Sequence, residues 1–125
     1  MILLQTIIDK VDELCPNQFS TEQKAAWLGE LDGKVHREVL TQYAGGNYPK
    51  HFEGYDHADP DTPLLIDFPY GEPIYLWWLQ AQIAIHNREV QGFNYCNEMF
   101  EAKYQDWLVQ YGLSHKSLAA SRFRI

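Results

Sequence analysis

A chain of 125 residues, 46% of them hydrophobic and 14% aromatic, is long enough for one folded domain with a single modest core. Its formal net charge of −7 argues against a protein whose main task is to grip phosphates, because that task needs clustered Lys and Arg. Cys15 and Cys96 stand far apart without a partner motif. We therefore expect reduced, part-buried thiols in a cytosolic product.

The amino terminus predicts a helix and no secretory signal. The run Met1–Leu4 is apolar, but no basic region precedes it and acidic residues follow within one signal-peptide length. Apolar residues recur at helical spacing from Ile2 to Leu14. Pro16 ends the helix, because the residue before a proline is pushed out of helical space.

A second helix begins at Ser20, where Ser20 and Gln23 fit a capping box. One apolar stripe follows, formed by Trp27, Leu28, Leu31, Val35, Val39, Leu40 and Tyr43. Gly33 lies inside this helix, and Gly45-Gly46 supplies its predicted stop.

Residues 47–70 form the irregular part of the chain, with four prolines and five acidic residues between Glu53 and Asp67. Connections of this length are commonly functional or disordered. The aromatic residues Tyr48, Phe52 and Tyr55 favour an ordered loop that is anchored to something. We expect Leu64–Ile66 to be a packed extended segment.

The third helix begins near Glu72-Pro73 and is apolar on nearly every side from Ile74 to Ile85. Such a helix belongs at the centre of a core or beneath a partner. It is too short to cross a membrane, which takes about 20 apolar residues.

After a break or a kink at Asn87, a fourth helix is predicted to reach Tyr111 and to stop at Gly112. Its stripe is Val90, Phe93, Asn97, Phe100, Tyr104, Trp107 and Tyr111. The fold class is thus all-α, a small bundle of three to four helices with a long loop between the second and third. Residues 1–113 form the domain, and the basic segment 114–125 is expected to be a flexible tail.

The sequence contains no recognisable catalytic or metal-binding motif. The acidic loop Asp56–Asp61 lacks the glycine and closing glutamate of a calcium loop, and the histidines do not fall at zinc-ligand spacing. Glu30, Asp32 and Glu38 match the carboxylates that helical surfaces routinely carry. Cys96 with His86 matches no nucleophile motif, so a buried inert thiol is the simpler interpretation. We expect no enzyme, cofactor or metal, and an unrecognised site in the acidic loop is the alternative.

The remaining signal is an excess of large aromatic residues for a helical domain of this size. Some belong to the core, and others are candidate anchors for a protein partner, since Trp and Tyr dominate protein–protein hot spots. The candidate interface residues are Tyr48, Phe52, Tyr55, Tyr70, Trp77 and Trp78.

Several ordered segments resemble the head–tail connector (adaptor or head-completion) proteins of tailed phages and prophages. They are Trp27–Val35, Asp61–Ile66, Pro69-Tyr70, Tyr75–Ile83, Asn87–Val90 and Phe93-Asn94. The resemblance covers roughly residues 20–111 and rests on the order and spacing of the segments together. Two positions depart from it: Arg88 stands where a glycine is expected, and Phe93 where a tyrosine is usual.

The resemblance implies a small helical virion protein, made in the bacterial host cytoplasm, without catalysis or a cofactor. It implies a homo-oligomeric ring of about twelve subunits beneath the portal, with the portal and tail-side connector proteins as partners. The role that the resemblance implies involves no membrane. DNA only passes through the acidic channel, and the protein does not bind it specifically. The alternative is a small helical regulatory or adaptor module that binds a single protein partner.

Overall fold

The computed structural model describes residues 1–55, 59 and 61–118, and in this part of the chain there are four α-helices and no strand. The helices are α1 (Leu4–Leu14), α2 (Thr21–Glu38), α3 (Gly71–His86) and α4 (Val90–Ser114). A short 3-10 turn, Leu40–Gln42, follows α2. The predicted all-α class is confirmed, as is the long irregular segment between the second and third helices.

Helix α1 follows directly from its apolar spacing, and its buried face is formed by Leu4, Ile7, Ile8 and Val11. The extended residues ahead of α1 pair with the loop that precedes α3. The Leu4 N–H donates to the Thr62 carbonyl and the Leu64 N–H to the Ile2 carbonyl, both at 2.8 Å. Leu64 and Ile66 are buried, so the segment is packed as predicted and Leu64 pairs with the amino terminus, but the backbone bends at Leu65 and Ile66.

Helix α2 begins at the predicted cap, where the Ser20 Oγ accepts the Gln23 N–H at 3.1 Å. Its end was predicted wrongly. The helix stops at Glu38, before the Gly45-Gly46 pair, and the chain then tightens into the 3-10 turn. The Thr41 hydroxyl donates to the Arg37 carbonyl at 3.0 Å. Such side-chain hydrogen bonds compete with the backbone hydrogen bonds that would continue the helix.

Helix α3 is the central element, since it packs against α1, α2 and α4. The fully buried side chains Ile74, Tyr75 and Leu79 come from this one helix. Pro73 lies in its first turn, where the missing N–H costs nothing. The expectation that an all-round apolar helix lies at the centre of the core is therefore confirmed.

The chain breaks between α3 and α4 and does not merely kink. Arg88 adopts a φ of 60°, in the left-handed region that glycine favours. Its N–H donates to the Ile85 carbonyl, and the Glu89 N–H donates to the Ala84 carbonyl, which closes a tight reversal. The left-handed backbone at residue 88 therefore explains why a glycine is expected at this position.

Helix α4 lies alongside α3 and buries Phe100, Tyr104 and Trp107 of the predicted stripe. Its amino-terminal end is not covered, because Val90 is 61% exposed.

Gly112 does not stop the helix, which runs on to Ser114. At the start of the predicted tail, the Ala44 N–H donates to the Lys116 carbonyl at 2.8 Å and ties that stretch to the turn after α2. Residues 119–125, the rest of the predicted tail, lie outside the described residues.

Gly71, the first residue of α3, offers a test of this packing. A Cβ there would lie 2.1 Å from the Ile66 carbonyl oxygen and 2.7 Å from the Ile2 Cδ1. Gly71→Ala is expected to lower the free energy of unfolding by about 1–3 kcal/mol, the usual cost of overpacking, as measured by urea titration with Trp fluorescence. Gly92→Ala is the control, since its Cβ would meet no atom closer than 3.8 Å. Equal stabilities for the two variants would contradict the packing at Gly71.

Candidate functional site

The described part of the connecting loop (residues 47–55, 59 and 61–70) contacts one face of α2 at three positions along the helix. These positions are Gly29, Asp32 and His36, which are three and four residues apart and so share one helix face. All three residues are buried. The loop that sequence analysis left without a location is therefore an ordered part of the domain wherever it is described.

Asp32 is the centre of this arrangement, and its side chain is fully buried. Its Oδ1 accepts the Tyr75 hydroxyl of α3 at 2.6 Å. Its Oδ2 accepts the Tyr55 hydroxyl at 2.5 Å and the Leu65 N–H at 3.1 Å. The Tyr75 oxygen in turn accepts the Ile66 N–H at 2.7 Å. One carboxyl group therefore joins α2, α3 and two separate points of the connecting loop.

The electrostatics of Asp32 follow from the burial of its carboxyl group. Burial raises the pKa of Asp32 to about 6, although hydrogen bonds from Tyr55, Tyr75 and Leu65 act in the opposite direction. The pKa of the Tyr75 hydroxyl is also raised, by its burial and by the neighbouring Asp32 charge. None of the described Lys, Arg and His side chains forms a salt bridge with Asp32. Its negative charge is therefore offset by hydrogen-bond donors alone.

His36 and Gly29 hold the first half of the loop. The His36 Nε2 lies 2.7 Å from the Pro49 carbonyl oxygen, and its ring is flanked by Tyr48 at the edge and by Phe52 in a stack. At Gly29 the loop backbone comes very close, since a Cβ there would lie 2.8 Å from the Tyr55 nitrogen. A larger residue at position 29 would push the loop away from the helix.

An open groove of about 580 Å³ runs beside this contact, between α2 and the loop. It is lined by Ala26 and Gly33 of α2 and by the charged residues Glu30, Arg37 and Glu53. A second groove, of about 420 Å³, lies between the end of the loop and α4 and is lined by Phe68, Tyr70, Trp107 and Tyr111 among others. Ser114 and His115 also line the second groove, with the Ser114 Oγ 2.9 Å from the His115 Nδ1, and the same hydroxyl donates to the Gln110 carbonyl at 2.9 Å.

The hairpin formed by α3 and α4 carries exposed apolar side chains at both ends. Ile85 and Val90 are exposed on either side of the reversal, and farther along the hairpin the partly buried Trp77 lies against the exposed Tyr95; we call these four residues together the turn-end face. The Trp77 and Tyr95 rings meet edge to face at 5.7 Å, and Tyr95 is 58% exposed. We call Val109 and Leu113, which are 58% and 78% exposed, the carboxyl-end face.

The six candidate interface residues do not form one surface. Tyr48, Phe52 and Tyr55 belong to the loop contact on α2, with the Tyr55 hydroxyl directed inward to Asp32. Tyr70 lines the groove beside α4. Trp78 donates its indole N–H to the Trp27 carbonyl at 2.8 Å and packs on Phe100, whereas Trp77 belongs to the turn-end face.

The thiols and carboxylates weighed for chemistry are placed as follows. Burial raises the pKa of the Cys15 and Cys96 thiols, the opposite of what an activated nucleophile needs. No three of the described His, Cys, Asp and Glu side chains lie close enough together to hold a metal ion. Of the acidic loop, Asp56, His57, Ala58 and Pro60 lie outside the described residues.

Sequence reasoning missed Asp32, which it grouped with Glu30 and Glu38 as ordinary surface carboxylates. Asp32 is four residues after Leu28 and three before Val35, and so it lies on the buried stripe of α2. That spacing was the signal that could have identified it, because a carboxylate within an apolar stripe requires buried partners.

Comparison with known proteins gives no relative for this chain: no family model, no curated protein and no solved structure matches it. In the part of the chain that the structure describes, none of the helices has the length and apolar character needed to cross a membrane.

Tyr75→Phe tests the carboxyl-centred network. The change removes a hydroxyl that donates to Asp32 and accepts from Ile66, and it leaves both partners buried. We expect the free energy of unfolding to fall by about 2–3 kcal/mol in urea titrations, because buried groups without partners carry their desolvation cost. Tyr95→Phe removes the same atom from an exposed ring and should change stability by less than about 0.5 kcal/mol. Equal effects of the two changes would contradict the network.

The pH dependence of stability tests the buried carboxyl directly. Because the pKa of Asp32 is higher in the folded chain than the ordinary value of 3.8, this group favours folding most below that value and loses the advantage as pH rises toward 6. Between pH 4 and pH 7 the wild type should lose about 2 kcal/mol relative to Asp32→Asn, which has no titrating group there. A constant difference between the two chains across this range, in urea titrations, would contradict the assignment.

Proposed function

We propose that this protein is a non-enzymatic structural subunit that assembles with copies of itself into a ring, the head–tail connector of a tailed phage or prophage virion. The observation that carries the proposal is the pair of separated apolar faces on the α3–α4 hairpin. The resemblance of the ordered sequence segments to connector proteins supplies the biological setting. The portal and the tail-side connector proteins are the further partners in this proposal.

The two faces are suited to a ring because they are different and far apart. Tyr95 and Val109 are separated by 14 residues of one helix, a distance of about 21 Å along its axis at 1.5 Å per residue. A ring requires a heterologous contact, in which one surface of a subunit meets a different surface of its neighbour. A simple two-fold dimer needs only one self-complementary surface.

The chemistry of the turn-end face supports its use as a protein contact. Trp77 and Tyr95 present a paired aromatic surface, and aromatic side chains dominate the binding energy of protein interfaces. Val90 adds an exposed apolar side chain at the start of α4. An acidic chain with a net charge of −7 also suits a channel that DNA traverses without being held.

The segments that carry the resemblance contact one another in the fold. Asp32, from the Trp27–Val35 segment, binds Leu65 of the Asp61–Ile66 segment and Tyr75 of the Tyr75–Ile83 segment. The Trp78 indole N–H joins the same segments through the Trp27 carbonyl. The segments thus specify a shared scaffold, and the two faces on α3 and α4 remain exposed.

Substitutions on the two faces test the proposal. The purified wild type is expected to form closed rings, seen by light scattering and by negative-stain imaging. Tyr95→Glu and Leu113→Glu should each abolish rings, because each removes one half of every contact. An equal mixture of the two variants retains one intact face of each kind and should form dimers but no larger species.

The control is Gln105→Glu, which adds the same charge at an exposed position of α4 between the two faces and should leave rings intact. A wild-type dimer that only one of the two face variants disrupts would contradict the ring and favour a module with a single partner. A wild type that forms no ring, either alone or when mixed with the portal of the same virus, would also contradict it.

A further inference from the structure

The reversal between α3 and α4 carries an exposed cation among the apolar residues of the turn-end face. Arg88 lies between Ile85 and Val90 in the chain, and all three side chains are exposed. Among the described residues, no Asp or Glu forms a salt bridge with Arg88. The turn-end face therefore presents one unpaired positive charge close to its exposed apolar side chains.

The residues on either side of Arg88 face the connection between α1 and α2. The Asn87 Oδ1 accepts a hydrogen bond from the Gln18 Nε2 at 2.7 Å. Burial raises the pKa of the Cys15 thiol, and the nearby charge of Glu89 raises it further, which places Glu89 on the same side of the bundle. Arg88 has no such contact and remains in solvent.

The carboxyl-end face carries an exposed anion in the corresponding position. Asp106 lies three residues before Val109 and seven before Leu113, so the three side chains share one face of α4. Asp106 is exposed, and none of the described basic groups forms a salt bridge with it. Each of the two faces thus combines exposed apolar side chains with one unpaired charge, and the two charges are opposite in sign.

Opposite charges on the two faces favour one pairing of copies over the others. When a turn-end face meets a carboxyl-end face, Arg88 attracts Asp106. Two turn-end faces would bring together two Arg88 side chains, and two carboxyl-end faces two Asp106 side chains. Like charges placed opposite each other in an interface cost free energy, and rejecting the wrong contact in this way gives specificity. The charges therefore favour a head-to-tail contact over a two-fold one.

We propose that Arg88 of one subunit pairs with Asp106 of the next, and that this pair sets the direction of the contact between copies of the chain. The inference rests on the proposed function, since it names the residues that make the ring contact head to tail. It adds a property that apolar side chains alone do not supply. Assembly becomes sensitive to salt, because dissolved ions screen the attraction between charges near the surface.

Two single charge reversals test the pair. Arg88→Asp places acids on both faces, and aspartate tolerates the left-handed backbone at residue 88 better than most residues do. Asp106→Arg places bases on both faces. Under the condition in which the wild type forms rings, each variant alone should need a subunit concentration at least about ten-fold higher to assemble, measured by light scattering at low salt.

An equal mixture of the two single variants should assemble again. In a ring in which the two chains alternate, the new carboxylate of one variant meets the new guanidinium of the other. At the next contact, the native Arg88 meets the native Asp106, so every contact is complementary. The double variant Arg88→Asp/Asp106→Arg should also form rings alone. Neither recovery is expected of chains that fail to fold.

Matched controls and salt complete the experiment. Arg37→Asp on α2 and Glu101→Arg on α4 reverse exposed charges outside both faces and should assemble as the wild type does. The deficit of the two single variants should shrink between about 0.01 M and 1 M salt, where the screening length falls from about 30 Å to about 3 Å.

The outcomes separate this inference from the proposed function. A wild type without rings, alone or with the portal, contradicts the ring and the pair with it. Wild-type rings together with single variants that assemble as the controls do would overturn the pair alone and leave the ring standing. A mixture of the single variants that does not assemble, beside wild-type rings, would also overturn the pair.

Discussion

The buried carboxyl group of Asp32 is the constraint on which the irregular half of this domain depends. In its described residues, the connecting loop 47–70 contains no helix or strand, so its buried backbone groups need other partners. Asp32 and Tyr75 supply them at Leu65 and Ile66, and His36 supplies one at Pro49. The burial of a charge without a counter-ion costs stability, and in exchange it holds the loop in one arrangement. Some proteins use buried polar groups for specificity in this way, and we infer that use here.

The parts of the fold that sequence reasoning predicted are those set by local physical signals. The spacing of Leu4, Ile7, Ile8 and Val11 fixes α1, and the all-round apolar character of residues 74–85 places α3 at the centre. The predicted glycine stops of α2 and α4 were wrong, because α2 ends at Glu38, before Gly45-Gly46, and α4 accommodates Gly112 within the helix. At the end of α2, the Thr41 hydroxyl donates to the Arg37 carbonyl and the chain continues as a 3-10 turn. Helix α4 continues past Gly112 to Ser114. The location of the loop depends on Asp32, whose partners are distant in sequence and had no local signature.

For function, the structure divides the large aromatic residues into two classes that sequence alone could not separate. Trp78 and Tyr75 use their polar atoms inside the domain, to Trp27 and to Asp32, and so act in the scaffold. Trp77 and Tyr95 form a pair at the surface of the hairpin. The proposal of a connector subunit rests on this second class and on the distant carboxyl-end face.

The measurement that tests this account most directly is a site-resolved titration of the Asp32 carboxyl carbon by NMR from pH 3 to pH 8. We predict a midpoint near 6, with the Tyr55 and Tyr75 ring signals shifting at the same midpoint because their hydroxyls bind the titrating group. A midpoint near the ordinary value of 3.8, or Tyr55 and Tyr75 signals that do not respond, would show that the carboxyl is solvated and would contradict the account.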